Sequence, residues 1–94
     1  MRKFKAKLIP VDGDVIEMEV QADLNAVCRL LQCDIFQTVR TADGMMLVDD
    51  SGLVKGLPQN PRASELYAGG YIAGPAVLFT QAEWEAYDAA FGEP

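Results

Sequence analysis

The chain has 94 residues, of which 50% are hydrophobic and 23% charged, and its formal net charge is −6 at neutral pH. This is the composition of a globular protein, and the length predicts one domain over residues 1–94. From residue 8 onward there are fourteen acidic and four basic residues. Because no basic stripe remains to neutralise phosphates, direct binding to nucleic acid is not expected.

Two residue types narrow the chemistry further. The sequence contains no histidine, which is the commonest general base and the commonest metal ligand. Cys28 and Cys33 stand five positions apart, which is not the spacing of a redox or zinc motif. We expect two buried, reduced thiols, with a disulfide as the alternative, and no metal or cofactor. The chain shows no apolar run of signal-peptide or membrane-span length, so a cytoplasmic protein is expected.

Alternating patterns predict a β-hairpin at the start of the chain. Apolar and charged residues alternate over residues 3–9 and 15–20, as in strands with one buried face. A three-residue loop ending at Gly13 places Leu8 opposite Ile16 and two lysines opposite glutamates. A two-residue loop would mix charged and apolar residues on one face. The three-residue loop is therefore favoured, with Gly13 in the left-handed conformation and cross-strand ion pairs on the solvated face.

A helix and a second hairpin follow. Asp23 is a suitable N-cap for a helix that continues to about Gln32. Residues 34–50 then predict two strands around a turn at residues 42–44. A three-residue loop at this turn would place Val39 opposite Leu47.

Two more helices and a strand complete the prediction. Asn60 caps a short helix over residues 61–68 that Gly69 and Gly70 close. Residues 75–80 form an apolar strand, and Thr80 with Glu83 makes a capping box for a last helix that ends at Gly92. The predicted order is ββαββαβα. This describes an α+β domain with two β-hairpins and helices packed on the sheet.

One stretch carries a recognisable order of turn residues. Between residues 39 and 66 a strand, an Asp-Gly turn, a second strand and a segment of the form xxGxxxGLPxN follow one another. This order resembles a family of small bacterial and phage proteins known only as domain of unknown function 3846. The matching positions are Asp43, Gly44, Gly52, Gly56, Leu57, Pro58, Asn60, Ala63 and Gly74.

The resemblance covers roughly residues 4–79, and the last helix matches less well. It implies no catalytic residue. Because such proteins occur on phages and mobile elements, it implies an accessory role, with action against a host defence system as one form.

The Gly-Leu-Pro-x-Asn segment has two interpretations. It is either a structural corner between a strand and a helix, or part of a site in which a helix N-terminus, a guanidinium and aromatic faces hold a nucleotide phosphate. The candidate ligand-binding residues are Asn60, Arg62, Tyr67 and Tyr71. In the structural alternative, Arg62 pairs with Glu65 or Glu93 and the tyrosines cover the edge of the core.

The last helix offers a second candidate surface. The candidate interface residues are Glu83, Trp84, Glu85, Tyr87 and Asp88. An acidic rim around aromatic anchors is typical of protein interfaces, whereas an amphipathic helix with aromatic residues in the core is the alternative.

These features favour a non-catalytic interaction protein that binds a host protein. Binding or sequestering a nucleotide is the alternative, and a homo-oligomer is compatible with both. A small enzyme is the least favoured reading, because no serine stands in a nucleophile elbow and no glycine-rich phosphate loop precedes a lysine.

Overall fold

One antiparallel sheet organises the protein, whose computed structural model describes residues 3–68 and 70–91. In this part of the chain the elements are β1 (Lys3–Ile9), β2 (Ile16–Gln21), α1 (Leu24–Leu31), β3 (Phe36–Arg40), β4 (Gly44–Asp49), α2 (Pro61–Leu66), β5 (Ala76–Thr80) and α3 (Gln81–Ala90). The strands lie in the order β2-β1-β5-β4-β3. The predicted α+β class and the element order ββαββαβα are confirmed.

Strand β5 joins the two hairpins. It pairs with β1 at Leu8↔Val77 and with β4 at Leu47↔Val77, so Val77 lies at the centre of the sheet and is fully buried. Strand β5 is apolar on both faces because helices cover both sides of the sheet at this point.

The sheet separates two hydrophobic cores. Helices α1 and α3 pack on one face, where the buried residues are Phe4, Ala6, Val20, Val27, Leu31, Leu47, Val77, Phe79, Tyr87 and Ala90. Helix α2 and the segment after it cover part of the opposite face, where the buried residues are Ile9, Val39, Met46, Val48, Ala63, Ile72 and Ala76. The strand residues alternate between the two cores, as the pleat requires.

The register of the first hairpin is confirmed, although its loop is longer than predicted. Leu8 pairs with Ile16, and Gly13 has a positive φ of 94°. The paired segments end there, so residues 10–15 connect the strands. Lys7 lies opposite Glu17 as expected, but the two side chains do not form a salt bridge. Among the described residues the only salt bridge joins Lys55 and Asp49.

The predicted register of the second hairpin is wrong by one residue. Val39 pairs with Met46 rather than with Leu47. The loop is shorter than predicted because Thr41 and Gly44 bond to each other: the Thr41 amide donates to the Gly44 carbonyl at 2.9 Å, and the Gly44 amide donates to Thr41 Oγ1 at 3.1 Å. This register places Val39 and Met46 together in the second core, which burial favours.

Side-chain caps begin all three described helices. Asp23, Asn60 and Thr80 accept hydrogen bonds from the amides three residues later at 2.8, 3.1 and 3.3 Å, as predicted. Helix α1 ends one residue before Gln32, which has a φ of 54°, and α2 ends at Leu66 rather than at residue 68. Gly69 and Gly92, which were predicted to follow the ends of α2 and α3, lie outside the described residues. No described helix has the length and apolar character needed to cross a bilayer.

Gly44→Ala is expected to destabilise the protein more than Gly13→Ala. A Cβ at Gly44 would overlap the backbone carbonyl of Phe79 where β4 meets β5, and overpacking of this kind costs about 3 kcal/mol or more when backbone must shift. A Cβ at Gly13 would meet no described atom within 4 Å. It would carry only the strain of positive φ, roughly 1–2 kcal/mol. Urea denaturation of the two variants measures both costs, and an equal or reversed ranking would contradict the β4–β5 pairing.

Candidate functional site

A buried aspartate closes the turn after β4. Asp49 ends the strand with its side chain almost fully buried, and its Oδ2 lies 2.7 Å from Lys55 Nζ. Its Oδ1 accepts a hydrogen bond from the Ser51 amide at 2.9 Å. The hydrogen bond with Asp49 raises the pKa of Lys55. The carboxylate therefore holds both ends of the turn.

Backbone hydrogen bonds make this turn a defined structure. The amide of Lys55 donates to the Ser51 carbonyl at 2.9 Å, and the amide of Leu57 donates to the Gly52 carbonyl at 3.0 Å. Gly52 lies against the carbonyl of Ala73, where a Cβ would come within 2.6 Å of the oxygen. The turn is thus bonded within itself and packed against the segment that precedes β5.

Asn60 is the anchor of the Gly-Leu-Pro-x-Asn corner. Asn60 is fully buried, and its side-chain amide donates hydrogen bonds to the carbonyls of Ile9 and Gly74 at 2.9 and 3.0 Å. Its Oδ1 caps α2 at the Ala63 amide, and its own amide donates to the Ile72 carbonyl at 2.7 Å. Both donors of the side chain are engaged. This arrangement favours the structural-corner interpretation for Asn60.

The other candidate ligand residues divide into two groups. Arg62 donates to the carbonyl of Gly13 and so ties α2 to the first hairpin. It makes no salt bridge with Glu65 in the described structure, and its other predicted partner, Glu93, lies outside it. Tyr67 and Tyr71 come together, lining a cavity of about 210 Å³.

The charged residues that line this cavity within the described structure are Asp49 and Asp50. Both are acidic, while Lys55 is engaged by Asp49 and Arg62 by Gly13. An anionic phosphate would therefore meet like charge at this point. The two tyrosines offer aromatic faces without the cations that a nucleotide requires.

The aromatic residues of α3 lie mainly in the core. Tyr87 is 1% exposed, and its ring centre lies 4.5 Å from that of Phe79 and 5.7 Å from that of half-buried Trp84. Glu85 and Asp88 are exposed and Glu83 is half-buried. This placement favours the amphipathic-helix alternative, because the aromatic side chains are used in packing α3 against the sheet.

An apolar surface that sequence reasoning missed lies on the turn after β4. Leu53 is 67% exposed and Val54 is 91% exposed, and Tyr71, which lines the same cavity as Leu53, is 50% exposed. We call these three residues the loop-50 surface. The feature of the sequence that could have predicted this surface is the pair of aliphatic residues between Gly52 and Gly56, because a solvent-exposed turn is usually polar.

Both cysteines are free thiols and half-buried. Burial, followed by a hydrogen bond with Cys28, raises the pKa of Cys33 from 9.0 to about 12. A thiol of this kind is protonated at neutral pH and a poor nucleophile. Within the described residues, no three cysteine, aspartate or glutamate side chains converge as metal ligands would.

Five antiparallel strands with helices on both faces define the protein as a small α+β domain. The chain belongs to the family described as a domain of unknown function, DUF3846, whose model matches residues 5–89. The match extends beyond the stretch on which the resemblance rested and includes most of α3. No curated protein matches the chain, and no solved structure does.

Asn60→Ala is expected to destabilise the protein by about 3 kcal/mol or more. The substitution removes a helix cap, worth about 1 kcal/mol, and leaves buried carbonyls of Ile9 and Gly74 without donors, at roughly 1–3 kcal/mol each. Urea unfolding measures the loss. Gln59→Ala at the exposed neighbouring position is the matched control. A loss below about 1 kcal/mol in Asn60→Ala would contradict the anchoring role.

Tyr87→Phe is expected to leave stability unchanged or to raise it by about 1 kcal/mol at neutral pH. Within the described structure the Tyr87 hydroxyl is buried without a hydrogen-bond partner, and burial raises its pKa. The Tyr87 hydroxyl is therefore harder to ionise in the folded protein than in the unfolded chain, where its pKa is about 10. Its contribution to stability is fully present below that pH and is lost as the pH rises through the pKa of the folded state.

Urea unfolding at neutral pH and above about pH 10 tests this linkage. The Phe variant should lose less stability on alkalinisation than the wild type, and the remaining loss should begin near pH 9, the ordinary pKa of the Cys33 thiol. Tyr71→Phe, at an exposed position, is the control. An alkaline loss as steep in Tyr87→Phe as in the wild type would show that the hydroxyl is not buried.

Proposed function

We propose that this protein is a non-catalytic interaction protein that binds a partner protein through the loop-50 surface. The observation that carries the proposal is an internally bonded turn that presents its two aliphatic side chains to solvent. Leu53 and Val54 contribute little to either core, although the turn around them is closed by an ion pair between buried Asp49 and exposed Lys55. Clustered exposed apolar side chains are typical of binding surfaces.

The internal bonds of this turn make it suitable for binding. The Asp49–Lys55 ion pair and the backbone bonds at Lys55 and Leu57 set the direction of Leu53 and Val54 before any partner arrives. Preorganised side chains lose less conformational entropy on association. The cavity between Tyr67 and Tyr71, at about 210 Å³, accepts an apolar side chain from the partner.

The charge around the surface specifies the partner. Asp50 is exposed at the rim of the cavity, and Asp34 acts electrostatically on Lys55 beside it. The whole chain carries a net charge of −6. The partner surface that complements this region is apolar at its centre and basic at its rim.

The family resemblance to phage and mobile-element proteins makes a protein of the bacterial host the partner that we propose.

We place the binding surface on the turn after β4 rather than on α3, where the sequence had predicted an acidic and aromatic interface. On α3 the exposed acids flank aromatic residues that packing already uses. On the loop-50 surface, Tyr71 and the two aliphatic side chains are free to make contacts.

Capture from host lysate with matched variants tests the proposal. A partner retained by the wild type should be recovered at least about tenfold less by Leu53→Ser/Val54→Ser, equivalent to about 1.4 kcal/mol of binding. Glu85→Lys/Asp88→Lys, on α3, should recover it undiminished. Thermal unfolding verifies that both variants are folded. Loss with the α3 variant and retention with the turn variant would overturn the assignment, as would a nucleotide that raises the unfolding temperature and loses that effect in Tyr67→Ala.

A further inference from the structure

The sheet splits where β1 and β5 part. These strands pair only from Ile9↔Ala76 to Lys7↔Leu78. Beyond Lys7, β1 remains paired with β2 as far as Lys3, while β5 remains paired with β4 as far as Thr80. The two halves of the sheet therefore diverge, and a cleft opens between them.

The cleft is closed on the helix side and open on the other. On the helix side, the ring of Tyr87 lies 5.8 Å from Phe4 of β1 and 4.5 Å from Phe79 of β5, so it fills the gap between the strands. On the opposite face, which α2 covers only in part, a cavity of about 450 Å³ remains. Half-buried Leu78 lies in its lining. This volume is in the range of small-ligand pockets, about 300–1,000 Å³.

Opposite charges line the two sides of this β1–β5 cleft. Lys5 and Lys7 lie on the β1 side with Glu17 of β2 beside them, and Asp43 and Glu83 lie on the β5 side. Neither lysine makes a salt bridge with any residue that the structure describes. The charges face a common cavity without neutralising one another.

The acidic side is held in place by hydrogen bonds. The carbonyl of Asp43 accepts a bond from the Gln81 amide at 3.1 Å, which joins the β3–β4 turn to the start of α3. Thr80 Oγ1 accepts a bond from the Glu83 amide at 3.3 Å and sets the first turn of α3. The two carboxylates are therefore carried on backbone that is already positioned.

We propose that the β1–β5 cleft binds a small zwitterionic molecule of the amino-acid or short-peptide class. The carboxylate of the ligand accepts hydrogen bonds from Lys5 and Lys7, and its ammonium donates to Asp43 and Glu83. Its aliphatic part lies over Leu78. Hydrogen bonds between ionised groups are the stronger ones, and each end of such a ligand meets the charge that complements it.

The charge pattern discriminates against other ligands. The three carboxylates of the lining repel a compound with several phosphates, and the two lysines repel a polyamine. A ligand with one positive and one negative end matches both sides. This site lies at the start of β4, near Gly44, whereas the loop-50 surface follows the end of that strand at Asp49. The two proposals are therefore independent.

Amide NMR spectra of the full chain test this assignment with three closely related probes. Triglycine carries both charged ends, N-acetyl-triglycine lacks the ammonium, and triglycinamide lacks the carboxylate. The free amino acids are titrated alongside. We expect saturable shifts at the amides of Lys7, Leu78 and Thr80 with at least one zwitterion, and at least about tenfold weaker binding when either end is blocked.

Variants connect the shifts to the charges. Lys5→Gln/Lys7→Gln and, separately, Asp43→Asn should each weaken binding at least about tenfold, whereas Lys3→Gln, on the same face of β1 but outside the cleft lining, should not. Asp43→Asn is preferred to a change at Glu83, whose charge also stabilises the start of α3. The proposal fails if no zwitterion gives saturable shifts at the cleft, if the blocked probes bind equally well, or if the Lys3 variant weakens binding as much as the others.

Discussion

The pairing of β5 between β1 and β4 is the constraint on which the rest of the structure depends. Each hairpin alone has two open strand edges, and β5 covers one edge of each by bonding to β1 and β4 at once, which leaves β2 and β3 at the ends of the sheet. Its alternating residues then contribute to both cores, with Val77 and Phe79 on one face and Ala76 on the other. Because β5 pairs with β1 over a shorter length than with β4, the same strand also creates the β1–β5 cleft.

Two buried polar residues attach the irregular part of the chain to this sheet. Asp49 bonds to Lys55 and Ser51 at one side of the turn, and Asn60 bonds to Ile9 and Gly74 at the other. Buried polar groups are favourable only when their partners are present, so these residues specify one conformation of the long connection between β4 and β5. The connection contains little regular structure, yet it is well enough bonded to present a defined surface.

The two proposed sites reflect different consequences of this construction. The loop-50 surface projects apolar side chains from a turn that the core does not need, whereas the cleft gathers charged side chains that the sheet leaves unpaired. Strand β4 separates the sites, beginning beside the cleft at Gly44 and ending at Asp49 beside the turn. A partner protein and a small ligand could therefore be bound at the same time.

The sequence by itself determined the features that depend on neighbouring residues. The alternation in β1 and β2 set the register of the first hairpin, and Asp23, Asn60 and Thr80 marked the helix starts, because strand pairing next to a turn and N-capping are local interactions. The second hairpin was predicted one residue out of register because its alternation is weak and its turn depends on the Thr41 hydroxyl. Only the tertiary structure decided which strand neighbours β5, that Asn60 bonds to Ile9 across the fold, and that Tyr87 is buried while Leu53 and Val54 are exposed. These outcomes depend on contacts between residues far apart in the chain, which periodicity and spacing do not encode.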